Sequence, residues 1–145
     1  MTATSVTFSI RTAVRKVMPY MMEMREYFHA RPETSGNEFD TCKTIFRELS
    51  LLGAEDIRII ACTGVTALIR GALPGPTVLL RAKTDAVALD ENNDLPYASL
   101  VSGVMHASGH DGLIANLLGL AKILTSHNDQ LHGTVRLVFE PNTET

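Results

Sequence analysis

The sequence predicts an α/β fold, a layered sheet flanked by helices. Three stretches, Ala13 to His29, Glu38 to Leu52 and Asp111 to Thr125, carry apolar residues at helical spacing. Short Val-, Ile- and Leu-rich runs bounded by Gly and Pro lie between and after them. Helical and strand-like segments therefore alternate, which is the pattern of a layered α/β sheet. The 145 residues, 45% hydrophobic and 20% charged, suit one domain of ordinary size with a real core.

The first helix carries Val14, Val17, Met18, Met21, Met22 and Phe28 as its apolar stripe, with Pro19 expected to start or kink it. A Met-rich stripe of this kind suits core packing better than a cofactor site. Arg31-Pro32-Glu33-Thr34-Ser35-Gly36-Asn37 reads as a turn, with Asn37 a candidate cap for the second helix. That helix is expected to bury Phe39, Ile45, Phe46, Leu49 and Leu52, and Gly53 closes it. Ile57, Ile59 and Ile60 then suggest a strand, Gly64 a break, and Val65 to Arg70 a second strand. Leu73-Pro74-Gly75-Pro76 is a turn signal before a short buried strand, Thr77 to Ala82. A loop rich in Asp, Asn and Pro runs from Asp90 to Gly103. The third helix has a broad apolar face of Leu113, Leu117, Leu118, Leu120, Ala121 and Leu124, and Thr134 to Phe139 forms a last strand. Lys83 to Asp85 and Glu140 to Glu144 both follow strands, where ligand sites of such sheets lie.

Thirteen basic and sixteen acidic residues give a net charge of −3 without a basic cluster, which argues against a nucleic-acid partner. No run of about 18 apolar residues occurs, so no membrane span is expected. Cys42 and Cys62 form no C-x-x-C pair, and two buried thiols in a reducing cytoplasm are expected. The first 22 residues contain Arg11, Arg15 and Lys16 but no acid, a faint likeness to an organellar transit peptide. A frayed or helical start over about residues 1–12 accounts for the same pattern and is preferred.

One segment concentrates chemistry: Met105-His106-Ala107-Ser108-Gly109-His110-Asp111-Gly112. Two histidines and an aspartate fall just before a helix, and a nearby carboxylate can orient a metal-binding imidazole. The spacing is not the H-E-x-x-H of a zinc helix. On these eight residues alone, a helix start capped by Ser108 or Asp111, with both histidines bonded to backbone, is the better reading.

The string is similar to Met-His-Ala-Cys-Gly-His-Asp-Gly-His. That signature marks the hippurate hydrolase, N-acyl-amino-acid amidohydrolase and indole-acetyl-amino-acid hydrolase branch of the aminoacylase and zinc carboxypeptidase superfamily. Phe28-His29-Ala30-Arg31-Pro32-Glu33 resembles the family's early His-x-x-Pro-Glu turn. Thr63-Gly64-Val65, Gly75-Pro76-Thr77-Val78, Arg81-Ala82-x-x-Asp85-Ala86, Leu95-Pro96-Tyr97-Ala98-Ser99 and Gly133-Thr134-Val135-Arg136-Leu137 match in order. Phe139-Glu140-Pro141 resembles the Phe-Gln-Pro that leads into a Glu-Glu pair. The resemblance covers about 120 residues, from about Arg25 onward.

It implies a mixed sheet with helices on both faces, as in the N-terminal half of a di-metal aminopeptidase-like catalytic domain. It also implies hydrolysis of an N-acyl-amino acid or peptide at two divalent metals, zinc or manganese, with a glutamate as general base. Carried over by position, His110 and Glu144 stand at metal-ligand positions, and Asp85 at a supporting aspartate. Ser108 stands where the ligand is Cys, and a neutral hydroxyl replaces thiolate charge poorly. Thr143 occupies the general-base position, and its hydroxyl cannot take a proton from water near neutral pH. Lys83 replaces an Asp; an ammonium about 6 Å from a metal repels each unit of its charge by about 3 kcal/mol at an effective dielectric of about 20. Leu113 replaces a second His.

The expectation is therefore a truncated catalytic-type domain over residues 1–145, lacking the family's lid and dimerisation domain, with a decayed site and no intact catalytic residue. Two alternatives stay open: a hydrolase completed by a partner chain, and a non-catalytic binding or regulatory module that pairs with an active homologue. The strand near the end of the sequence also predicts an exposed sheet edge and self-association through it. Pocket residues for the acyl group and the amino acid are not identifiable.

Overall fold

The structure, a computed structural model, describes residues 9–144. Residues 1–8 of the expected frayed or helical start lie outside that range, whereas Arg11, Arg15 and Lys16 of the transit-like stretch lie within it, in the first helix. Helix α1 spans Ile10–Ala30, and Ser9 caps it by accepting a hydrogen bond from the Thr12 amide. The helix continues through Pro19, where a start or kink was expected. Pro19 is exposed, so water can serve the carbonyl that its missing N–H leaves free. The buried stripe is Ala13, Val17, Met24 and Phe28, whereas Met18 and Met22 face solvent.

Helix α2 spans Phe39–Leu51 and buries Cys42, Ile45 and Leu49. Phe39 and Phe46, both expected inside, are exposed. They lie two turns apart on one side, off the line that Cys42, Ile45 and Leu49 draw toward the sheet. The expected Asn37 cap is replaced by Glu33: its carboxylate accepts the Asp40 amide at 3.1 Å and the Thr41 amide at 2.7 Å. At the other end Gly53 donates to Ser50 O and Ala54 to Leu49 O, with Gly53 at φ +80°. This crossed pair satisfies the last carbonyls and needs a left-handed residue, so glycine is required there.

Four strands follow, β1 (Glu55–Ile60), β2 (Gly64–Arg70), β3 (Leu73–Lys83) and β4 (His132–Glu140), in the order β1-β2-β4-β3. Helix α3 (His110–Ser126) connects β3 to its parallel neighbour β4, and the other two pairings are antiparallel. Leu73-Pro74-Gly75-Pro76, expected as a turn, is the start of β3, with a register shift before Thr77. An edge strand tolerates this, because prolines need only avoid a ladder bond on one side. Cys62, expected buried, is exposed in the β1–β2 connection, whereas Cys42 is buried.

Register sets the core. Val65, Ala67 and Ile69 of β2 lie opposite Phe139, Leu137 and Val135 of β4 and pack on Ile45, Leu49, Ile114 and Leu118. The mixed α/β sheet expected from the sequence is present. Its helices pack on one another: Tyr20 and Tyr27 of α1 bond Glu48 and Thr44 of α2, and Met21 of α1 sits against Gly119 of α3. No helix among the described residues is long and apolar enough to cross a membrane.

Candidate active site

The parallel pair β3–β4 and the start of α3 bring three segments to one end of the sheet. Thr84 and Asp85 leave β3, Pro141 to Glu144 leave β4, and His110 opens α3. This is the strand-end crevice where an α/β sheet presents ligand groups.

Asp85 is fully buried at its centre. Its Oδ2 accepts from Ser35 Oγ (2.6 Å), Thr143 N (2.5 Å) and Glu144 N (2.7 Å), and its Oδ1 accepts from Thr143 Oγ1 (2.7 Å). Burial pushes the carboxyl pKa up, but these four donors outweigh it and hold the group at about 2. Glu38, also fully buried, accepts from Thr63 Oγ1 and from Asn142 N. Asp85 and Glu38 together fasten the segment after β4.

His110 Nδ1 lies 2.7 Å from the Asp85 carbonyl oxygen, an acceptor only, so Nδ1 carries a proton. Its Nε2 faces Glu144 Oε1 at 3.3 Å. A cation held between the two would separate the ring lone pair from the carboxylate oxygen. With metal bonds of about 2.0–2.1 Å, ligand atoms 3.3 Å apart subtend about 107°, close to tetrahedral. His110 and Glu144 thus fit as two adjacent ligands.

The set does not extend further. Among the described residues no group of three or more His, Cys, Asp or Glu side chains could hold a metal ion. Ser108 is exposed in the turn before α3. Leu113 lines a groove of about 200 Å³ with Leu80, Arg81, Asn116, Leu117 and Leu120. Lys83, at the end of β3, pairs in register with Glu140. The residues present fit one edge of a metal site and not a complete one.

His106 is buried, and neither ring nitrogen has a hydrogen-bond partner among the described residues. Burial pushes its pKa down to about 4, with His110 and His29 adding to the effect. Both histidines were expected to bond backbone in the capping reading; His110 does and His106 does not. Neither Ser108 nor Asp111 caps α3, whose N-cap is Gly109 at φ +77°.

Sequence reasoning missed the supporting side chains. Ser35 and Glu38 hold the segment after β4, and Asp111 orients His29 rather than His110: His29 Nδ1 lies 2.8 Å from Asp111 Oδ2, and Nε2 lies 2.9 Å from Glu91 Oε1. The available signal was the cluster of small polar residues around Pro32, which read as a turn with no partner.

Residues 79–145 match peptidase family M20/M25/M40. The chain is 40% identical over 136 residues to thermostable carboxypeptidase 1 of Saccharolobus solfataricus, covering 93% of this chain and 35% of that protein. It is 41% identical over 128 residues to the N-acetylcysteine deacetylase of Bacillus subtilis, covering 86% and 33%. A crystal structure of a dinuclear metal binding peptidase from the M20 family of Bacillus subtilis superposes with TM-score 0.82 and 39% identity, over 88% of this chain and 36% of that one. The chain spans about a third of the length of these curated relatives.

Proposed function

We propose that the chain, whose residues 79–145 match peptidase family M20/M25/M40, carries the frame of a metal-dependent hydrolase of N-acyl-amino acids or peptides around an impaired centre, and does not turn substrate over by itself. A divalent ion, zinc or manganese, at His110 and Glu144 would supply Lewis acidity to the acyl carbonyl. The carrying observation is the hydrogen bond from Thr143 Oγ1 to Asp85 Oδ1 at 2.7 Å. The side chain at the general-base position spends its only proton on a buried carboxylate and offers no basic group to water. Ser108 supplies no charge where the resemblance expects a thiolate, and Lys83 carries the opposite charge from the Asp it expects there. Two free thiols suit the cytoplasm as the reducing compartment of this proposal.

The test is metal content by plasma emission spectrometry, together with release of free amino acid from N-acetyl and N-benzoyl amino acids, for the wild type and for Ser108→Cys/Thr143→Glu. The wild type is expected to hold less than stoichiometric metal and show no turnover, and the double variant to bind zinc more tightly. Stoichiometric zinc with turnover in the wild type refutes the reading.

One observation favours a second reading, a non-catalytic module that pairs with an active homologue or with another copy of the chain. Edge strand β3 leaves Val78 and Leu79 49% and 57% exposed, and open edges of this kind invite pairing. Sedimentation would show a dimer that Leu79→Lys weakens; a strictly monomeric chain counts against it.

A further inference from the structure

The last turn of α1 buries a histidine between two carboxylates. His29 is 6% exposed, and its two ring nitrogens point at Asp111 Oδ2 (2.8 Å) and Glu91 Oε1 (2.9 Å). An ionised carboxylate only accepts, and a neutral imidazole donates once. Both contacts become hydrogen bonds when the ring carries two protons or when one acid keeps its own. Both acids have further donors or cations beside them. Glu91 also accepts from the Ser99 amide at 2.6 Å and from Asn93 Nδ2 at 3.1 Å, and Asp111 Oδ2 lies 3.4 Å from Arg25 Nε. The second proton therefore belongs on the ring, where the C-terminal end of α1 also favours positive charge.

The three residues come from three elements: the end of α1, the segment after β3 and the first turn of α3. The segment after β3 is pinched at its base by paired Val87–Met105 backbone bonds, and Leu100 N reaches Ala30 O beside the ring. Asp111 directly follows His110, so whatever holds Asp111 sets where His110 begins. The charged and titratable groups facing His29 are Arg25 from α1, Glu91 and Tyr97 from the segment after β3 (Tyr97 as a ring edge at 5.5 Å), His106 from the turn before α3, and Asp111 from α3.

We propose that His29 is a buried imidazolium shared by Glu91 and Asp111, and that it acts as a positioning residue, pinning the first turn of α3, and with it His110, to α1 and the 87–105 segment. The assignment does not depend on whether the site hydrolyses anything. Its energetics are consistent: burial works against the charge, yet the hydrogen bonds and charges of Glu91 and Asp111 outweigh it and raise the pKa above 6.5. A group with a raised folded-state pKa stabilises fully below its unfolded pKa, and that contribution is lost as pH rises through the folded pKa.

The test is nitrogen-15 NMR of the His29 ring across pH, with urea midpoints measured in parallel on the full chain. Two protonated ring nitrogens at neutral pH are expected, with a midpoint that falls on the alkaline side. Glu91→Gln offers an amide donor that a neutral ring can accept. It is expected to keep the fold, return the His29 titration toward the ordinary histidine range and flatten the alkaline fall. His29→Asn is expected to remove the fall altogether; should it fail to fold, the spectra of the wild type and Glu91→Gln still decide. A bare ring nitrogen on His29 at neutral pH, or a Glu91→Gln profile identical to wild type, overturns the proposal.

Discussion

Replacing Asp85 with alanine removes the acceptor for four donors: the Ser35 and Thr143 hydroxyls and the Thr143 and Glu144 amides. The hydroxyls can turn toward water, but the two amides are fixed by the backbone. At about 1–3 kcal/mol for each part-buried donor left unsatisfied, the two amides alone give roughly 2–6 kcal/mol of destabilisation. Titration offers a partly independent route to the magnitude. The carboxyl is held at about 2 against an ordinary 3.8, which is worth about 2 kcal/mol at about 1.4 kcal/mol per tenfold. Because the folded pKa is depressed, this contribution is present above the unfolded value and is lost as pH falls from about 4 through about 2. The assay is urea denaturation across that range, with amide hydrogen exchange at Thr143 and Glu144. Asp85→Ala should lower stability near neutral pH and speed exchange at both amides. Asp85→Asn, which keeps one acceptor oxygen but no charge, should lose about 1–2 kcal/mol and flatten the acid limb. An Asp85→Ala variant within about 1 kcal/mol of wild type, with both amides still protected, would refute the reasoning.

Glu33→Ala should cost about 1–2 kcal/mol by releasing the first amides of α2, while Glu33→Gln should retain most of it; thermal melts compare the two. Gly133→Ala places a methyl 2.0 Å from Pro76 O at a residue with φ +78°. It should destabilise by more than about 2 kcal/mol, with exchange rising first in the β3–β4 ladder; a neutral melt would contradict the close approach.

Periodicity made α3 and the core strands legible, because a helix face and a buried strand are local patterns that one stretch of sequence carries whole. The ordered matches around Met105 to Asp111 and Phe139 to Glu144 likewise located His110 and Glu144, which the structure brings together. Illegible residues fall into two physical kinds. Phe39, Phe46, Met18 and Met22 are apolar and were expected inside, but which side of a helix meets the sheet depends on how the whole layer docks. Glu33, Glu38, His29 and Glu91 find partners 7 to 104 residues away. No local pattern encodes which carboxylate ends beside which donor. Pro74 to Pro76 failed for a third reason: a turn signal and an edge-strand bulge use the same residues, and only the neighbouring strand distinguishes them.

The strand order has a consequence for how the chain is made. β4 lies between β2 and β3, although it follows both in sequence. Until its nine residues leave the ribosome, the nascent sheet consists of a β1–β2 hairpin and a solitary β3, each with a ladder open to other chains. The ladders that β4 covers on β2 and β3 therefore stay open until β4 itself has been made.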